Sequence, residues 1–277
     1  MQIIQWFPGH MTKAVRLMED NLKHVQGVLV VLDARAPQAC INAKLEKMFV
    51  NKRIIYVLNK SDMVEQKDSN RIINEFKRQG KNCVAVCSTD KKSIAKLKSA
   101  IFNLFEDVLQ RNKGKGVFKA IRLMVAGIPN TGKSTLINAL VGFKKAITGD
   151  KAGVTRTGQW AKLEDLELFD TPGTMPPSFE NQTNARHLAY IGCVNDDILD
   201  FPDLTLELLK ELQQTHPQLL MARYNLPSVE MEGLELYEAI CQKRGFIMKG
   251  KEFDYDRCAN AVIDDLRKCR IGKICFE

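Results

Sequence analysis

Gly127-Ile-Pro-Asn-Thr-Gly132-Lys133-Ser134 spaces two glycines, a lysine and a hydroxyl as a phosphate cradle requires. The glycines let backbone N–H groups curl around phosphate oxygens. Lys133 can reach the outer phosphates, and Ser134 can offer its hydroxyl to Mg²⁺. Thr131 and Thr135 bracket this core and join the expected binding loop. Downstream, Asp170-Thr-Pro-Gly173 supplies a carboxylate for the metal shell and a backbone N–H that senses a third phosphate. Thr155, within Gly153-Val-Thr-Arg-Thr157, is expected to complete the metal coordination in the triphosphate state. The expected metal set is therefore Ser134, Thr155 and Asp170, with Lys133 and Thr155 acting in catalysis.

Asn59-Lys60-Ser61-Asp62 reads the base. The Asp62 carboxylate can accept from two adjacent N–H donors of guanine, a pair that adenine does not present. Asn59 is placed to meet the base edge, and the Lys60 stem to cover the ring. Ser88-Thr89 follow another apolar run and are expected to contact the base through their backbone, whereas Asp90 stands where a lysine is usual. The expected ligands are GTP and GDP, and the expected reaction is hydrolysis of GTP to GDP and phosphate. Thr174 occupies the position where a water-orienting glutamine is common. Another group must then orient the attacking water. The imidazole of His10 is a candidate, because it can accept a proton near neutral pH; the alternative is a structural turn histidine. Asn130, inside the phosphate loop, is a candidate to help hold K⁺.

Elements that deliver these residues can be read from hydrophobic pattern. Gly27–Asp33 and Arg53–Leu58 are continuous apolar runs, as buried parallel strands are. The second delivers Asn59. A helix is expected from about Met11 to Lys23, another over Lys67–Gln79, a strand over Asn82–Cys87, and one long helix from Ser93 to Leu109. Arg111-Asn-Lys-Gly-Lys-Gly116 reads as a polar linker. Lys119–Ala126 is the strand feeding the phosphate loop, Lys133–Val141 its helix, and Gln159–Leu163 with Leu166–Phe169 a hairpin ending at Asp170. Strands alternating with helices predict a doubly wound, mostly parallel α/β sheet. Beyond Pro176-Pro177 only helical periodicity remains, over Leu204–Leu212, Gly233–Lys243 and Tyr255–Arg270. The expected domains are 1–175 and 176–277.

The eight cysteines show no metal-ligand spacing and are expected to be reduced and mostly buried. No run approaches the roughly 20 apolar residues of a membrane span. No export signal or presequence is read at the start, so a cytoplasmic, bacterial setting is expected. Charge is uneven: residues 1–175 carry 29 Lys+Arg against 16 Asp+Glu, and residues 176–277 carry 12 against 17. A basic first part suits a polyanion, with nucleic acid the leading candidate. Two local basic clusters stand out in the second part: Lys243, Arg244, Lys249 and Lys251, and Arg267, Lys268, Arg270 and Lys273. Each is either an RNA contact or a solvated helix face.

The base motif precedes the phosphate loop, whereas GTPases ordinarily run in the opposite order. In this order the motifs resemble the circularly permuted GTPases of the YlqF/YawG family. Trp6-Phe7-Pro8-Gly9-His10-Met11 and Asp33-Ala34-Arg35-Ala36-Pro37 carry the resemblance most specifically, and it spans about residues 3–175. It implies a permuted P-loop GTPase domain over 1–175 and a small helical RNA- or ribosome-binding domain over 176–277. It further implies a role late in maturation of the large (50S) ribosomal subunit, binding to 23S rRNA of the subunit precursor, and GTPase activity raised by the ribosomal particle. The family's proposed catalytic histidine falls on His10. The family is described as using a hydrophobic residue near the missing glutamine, and Thr174 departs from that. A monomer is expected when the protein is free, with no membrane partner. Two alternatives are a GTPase acting on the small subunit and a switch whose output is protein binding without RNA. Because the Asp170–Gly173 motif ends just before the helical segment, ordering of that motif by GTP is expected to reorient it.

Overall fold

In the computed structural model the described residues are 3–6, 9–114, 119–142, 158–163, 165–176 and 178–277, with the side chain of His10 set aside. Thr155 therefore lies outside the described residues. The chain divides into two compact units: Trp6–Phe179 with Cys275–Glu277, and Glu180–Ile274 with Met1–Gln5.

The first unit is built on a six-stranded sheet of β1 (Gly27–Asp33), β2 (Arg53–Asn59), β3 (Asn82–Val86), β4 (Ile121–Ala126), β5 (Gln159–Leu163) and β6 (Leu166–Asp170). Their order is β3-β2-β1-β4-β6-β5, with only β5 antiparallel to its neighbour. Every residue of β1 is buried, as its unbroken apolar run demands of a central strand. Alternate side chains divide between two faces. Leu29, Val31, Val57, Leu123 and Val125 share a core with Ile94, Leu97 and Ile101 of α4 (Lys91–Leu104) and with Leu136, Ile137 and Leu140 of α6 (Lys133–Val141). On the opposite face Tyr56 packs on Phe76 of α3 (Gln66–Arg78), ring centroids 4.8 Å apart. The order reverses direction between β1 and β4, so the carboxyl ends of those strands open the crevice where α/β sheets bind ligands.

The long helix expected over Ser93–Leu109 is broken. α4 stops at Leu104, and α5 spans Glu106–Gly114, so the first part of the expected linker is helical. Tertiary contacts decide this. Phe105 is buried, and Arg53 lies 5.3 Å over its ring while donating to the Leu104 carbonyl at 2.8 Å. Helix α1 (His10–Leu22) and the short α2 (Ala43–Met48), capped by Asn42, complete the unit's α-helices among the described residues.

The second unit is helical: α7 (Gln182–Tyr190), α8 (Phe201–Thr215), α9 (Pro217–Tyr224), α10 (Gly233–Arg244) and α11 (Tyr255–Arg267). Its core includes Leu208, Leu212, Leu220, Tyr237, Ile240, Val262 and Leu266. The pattern reading missed the short α7 and α9, though Asn181 and Pro217 are start signals for each. Among the described residues no helix is long and apolar enough to cross a membrane.

Candidate functional site

The phosphate loop follows β4 and feeds α6, whose free N–H groups and dipole favour an anion at its start. Gly132 takes a positive φ of 88°, and a Cβ there would come within 2.4 Å of the Asn59 amide nitrogen. That amide is held: Asn59 Nδ2 donates to the Thr131 carbonyl at 2.8 Å, and Asn59 Oδ1 accepts from Ser88 Oγ at 2.8 Å. The base motif is thus bonded directly to the phosphate loop, although 72 residues separate Asn59 from Thr131. Asn130 is left-handed, φ 58°, a conformation that asparagine tolerates better than most residues. That conformation favours asparagine here.

Lys60 makes the second link. It sits in the left-handed region, and its ammonium donates to the Asn130 carbonyl at 2.9 Å. The same ammonium lies 2.8 Å from the Asp33 carboxylate. Asp33 is fully buried at the end of β1 and also takes two hydrogen bonds from the Arg35 guanidinium, at 2.9 and 2.8 Å. Burial alone would raise this carboxyl; Arg35 and Lys60 outweigh it and hold it well below the usual carboxylate range. The sequence reading did not assign Asp33 or Arg35 to the site. The available signal was a carboxylate closing an otherwise apolar strand, and the parallel register that sets Asp33 beside Asn59 gives it its role.

Lys133 is buried, with Nζ donating to the Ile128 carbonyl at 2.7 Å. Ser134 Oγ donates to Asp170 Oδ2 at 2.7 Å. The other Asp170 oxygen is buried with no hydrogen-bond partner among the described residues. Burial raises the Asp170 carboxyl, a shift only partly opposed by Ser134 and Lys133. A serine hydroxyl beside an orphaned carboxylate oxygen is a hard-oxygen donor set that fits Mg²⁺.

Gly173 is buried where a Cβ would lie 2.6 Å from the backbone of Pro129, so this motif presses on the phosphate loop. Thr174 is also fully buried. Its N–H donates to the Gly127 carbonyl at 3.3 Å, and its hydroxyl has no partner among the described residues.

Asp62 is exposed in the turn Ser61–Met63, free to face a base. Ser88 is half-buried against Asn59, while Thr89 and Thr135 are exposed. Asp90 accepts from the N–H groups of Lys92 and Ser93 and caps α4, which accounts for its replacing the usual lysine. A cavity of about 480 Å³, lined by Ser88, Thr89, Lys91, Ile94, Asn138 and Gly142 among others, adjoins these residues.

Residues 122–224 match a family described as 50S ribosome-binding GTPase. The chain is 40% identical to ribosome biogenesis GTPase A of Priestia megaterium, over 99% of this chain and 96% of that one. It is 36% identical to the protein of the same name from Bacillus cereus, over 99% and 94%. Among solved structures it is similar to GNP-bound YlqF from Thermotoga maritima, with a TM-score of 0.66, 25% identity, and coverage of 96% and 97%.

Proposed function

The chain belongs to the ribosome biogenesis GTPase A family, a GTPase family of ribosome biogenesis, and from that premise we propose that it binds 23S rRNA in the immature large subunit and acts at a late maturation step. Hydrolysis of GTP drives its release, and the particle stimulates that hydrolysis. The protein works in the cytoplasm and is a monomer when free. The ribosomal part of this reading is supported by the full-length likeness to ribosome biogenesis GTPase A, and its nucleotide part by the bonding of Asn59 and Lys60 to the carbonyls of Thr131 and Asn130, which ties the two loops together.

In this reading Asn59, Lys60 and Asp62 read guanine, with Ser88 and Thr89 beside the base. Asn130, Thr131, Gly132, Lys133, Ser134 and Thr135 hold the phosphates, and the Gly173 N–H senses the third. Ser134, Asp170 and Thr155 would hold Mg²⁺, which would neutralise charge on the phosphate oxygens. Lys133 stabilises charge on the transferring phosphoryl group, and His10 orients or deprotonates the attacking water. The T. maritima relative, solved with GNP bound, supports nucleotide binding in this fold.

The test is GTP hydrolysis by the pure chain in K⁺ buffer, alone and with purified 50S or 30S subunits. Strong stimulation by 50S alone is expected. Stimulation by 30S alone moves the protein to the small subunit. No response to either, with GTP still bound, sinks the ribosome-stimulated reading.

A further inference from the structure

Several cations of the helical unit are committed internally. Arg223, Arg244 and Arg270 converge on the buried Asp265, at 2.7, 3.3 and 3.1 Å. Lys268 pairs with Asp264 at 2.8 Å, and Arg267 holds Asp196 at 2.8 Å along with the carbonyls of Ala189 and Tyr190. The second basic cluster is therefore largely a structural device.

The turn between α10 and α11 differs. Residues 246–254 form a tight hairpin with a bridge between Ile247 and Phe253, Met248 N donating to the Glu252 carbonyl at 2.8 Å, and Asp254 N to the Phe246 carbonyl at 3.0 Å. Its base is anchored by aromatic contacts. Phe253 lies 6.2 Å from Tyr255, Tyr255 lies 5.3 Å edge-on to Tyr237, and Arg257 stands 5.1 Å over Phe246. It carries Ile247 and Met248, each 48% exposed, followed by exposed Lys249 and Lys251. Lys243, Lys249, Lys251 and Arg257 enter no salt bridge among the described residues.

We infer that this hairpin is the edge by which the helical unit touches RNA. Lys249 and Lys251 meet phosphates, while Ile247 and Met248 pack on sugar or base surface. The inference rests on the rRNA-binding reading above and gives it a location. Residues 176–277 carry 17 acidic and 12 basic side chains, so that part of the chain as a whole repels a polyanion. Charge favours RNA where cations lack a carboxylate partner, and among the described residues the hairpin carries two of them, Lys249 and Lys251. Its hydrogen-bonded, aromatic-anchored frame lowers the ordering entropy lost on binding.

The test uses the full chain with a non-hydrolysable GTP analogue and rRNA extracted from purified large subunits, titrated over a range of salt. Lys249→Ala with Lys251→Ala is expected to weaken binding about tenfold at low salt and to flatten the log–log salt slope by about 1.4. Ile247→Ser with Met248→Ser is expected to weaken binding without changing the slope. Both pairs are surface changes, and unchanged GDP affinity and helical circular dichroism verify the fold. Binding by the lysine variant with the original slope overturns the placement alone. Lack of salt-dependent binding by the unsubstituted chain overturns the rRNA reading and this placement with it. Weakened binding of Ile247→Ser/Met248→Ser to intact subunits, with rRNA binding untouched, assigns the hairpin to a protein contact and also overturns the inference.

Discussion

The Lys60 ammonium lies 2.8 Å from the buried Asp33 carboxylate, which anchors Lys60 to the neighbouring strand. Parallel pairing sets Asp33 beside Asn59, so β1 supplies the counter-charge for a motif carried by β2. From there Lys60 reaches across to the Asn130 carbonyl of the phosphate loop.

Asp33→Asn leaves the buried Arg35 and the Lys60 ammonium without their counter-charge. A stability loss of about 3 kcal/mol is expected from breaking such a pair, read by urea unfolding, with GDP release faster by roughly tenfold. The folded carboxyl is depressed, so its contribution is complete above the unfolded value, near roughly pH 4, and is lost as pH falls through the folded value. The stability gap between the two proteins should therefore be constant from neutral pH down to that point and shrink below it. A gap that closes on raising the pH would contradict the assignment.

Asp62→Asn replaces an acceptor of two donors with a group that also donates. Guanine nucleotide affinity should fall by roughly a hundredfold or more. Xanthine nucleotides, which present a carbonyl in place of the guanine amino group, should bind better than they do to the unsubstituted chain. Competition titrations with GTP and XTP decide this, and an unaltered preference for GTP removes Asp62 from base recognition.

Asn130 lies at the turn of the phosphate loop, and a K⁺ held there would add positive charge to the phosphate clamp. Hydrolysis is expected to be several-fold faster in K⁺ than in Na⁺ at equal ionic strength, an effect of the order of 1 kcal/mol on the barrier. Equal rates in the two salts dispose of the idea.

His10→Ala should lower kcat by roughly 10²–10⁴ while leaving KM for GTP nearly unchanged, as expected for loss of a group acting in the transition state. Steady-state kinetics with 50S present make the measurement. An unchanged kcat would instead describe a turn histidine.

Asp265→Ala in the helical unit strands three arginines around one buried position. A loss of about 3–5 kcal/mol is expected. Burial raises this carboxyl, and hydrogen bonds from Arg223 and Arg270 together with the nearby cations lower it further than burial raises it. Its stabilising effect is thus present at neutral pH and fades on acidification. Limited proteolysis should cut first within 180–274; resistance equal to that of the unsubstituted chain would place the unit's stability elsewhere.

The phosphate loop, the Asn59–Asp62 motif and the Asp170–Gly173 motif were legible in the sequence because each is a pattern of a few consecutive residues. Glycines at fixed offsets, a lysine and a hydroxyl set the local backbone and its chemistry wherever the segment lies. The long strands were legible for a similar reason: Gly27–Asp33 is apolar throughout, and only burial on both faces accommodates that. Composition alone could not separate the two basic clusters of the helical part. Arg267 and Arg270 are occupied by Asp196, Asp264 and Asp265, whereas Lys249 and Lys251 are exposed on a hairpin and enter no salt bridge among the described residues.

Tertiary structure decided what depends on partners far along the chain. The helix stop at Phe105 follows from a guanidinium arriving from β2. Asp33 serves the site through strand register, Asn59 through a carbonyl 72 residues away, and Thr174 is buried by the close approach of its motif to the phosphate loop. Local sequence sets backbone conformation and chemical type. Which charge faces which is set only when the sheet brings the ends of β1, β2 and β4 together, because hydrogen bonds and ion pairs act over a few ångströms of space, whatever the separation along the chain.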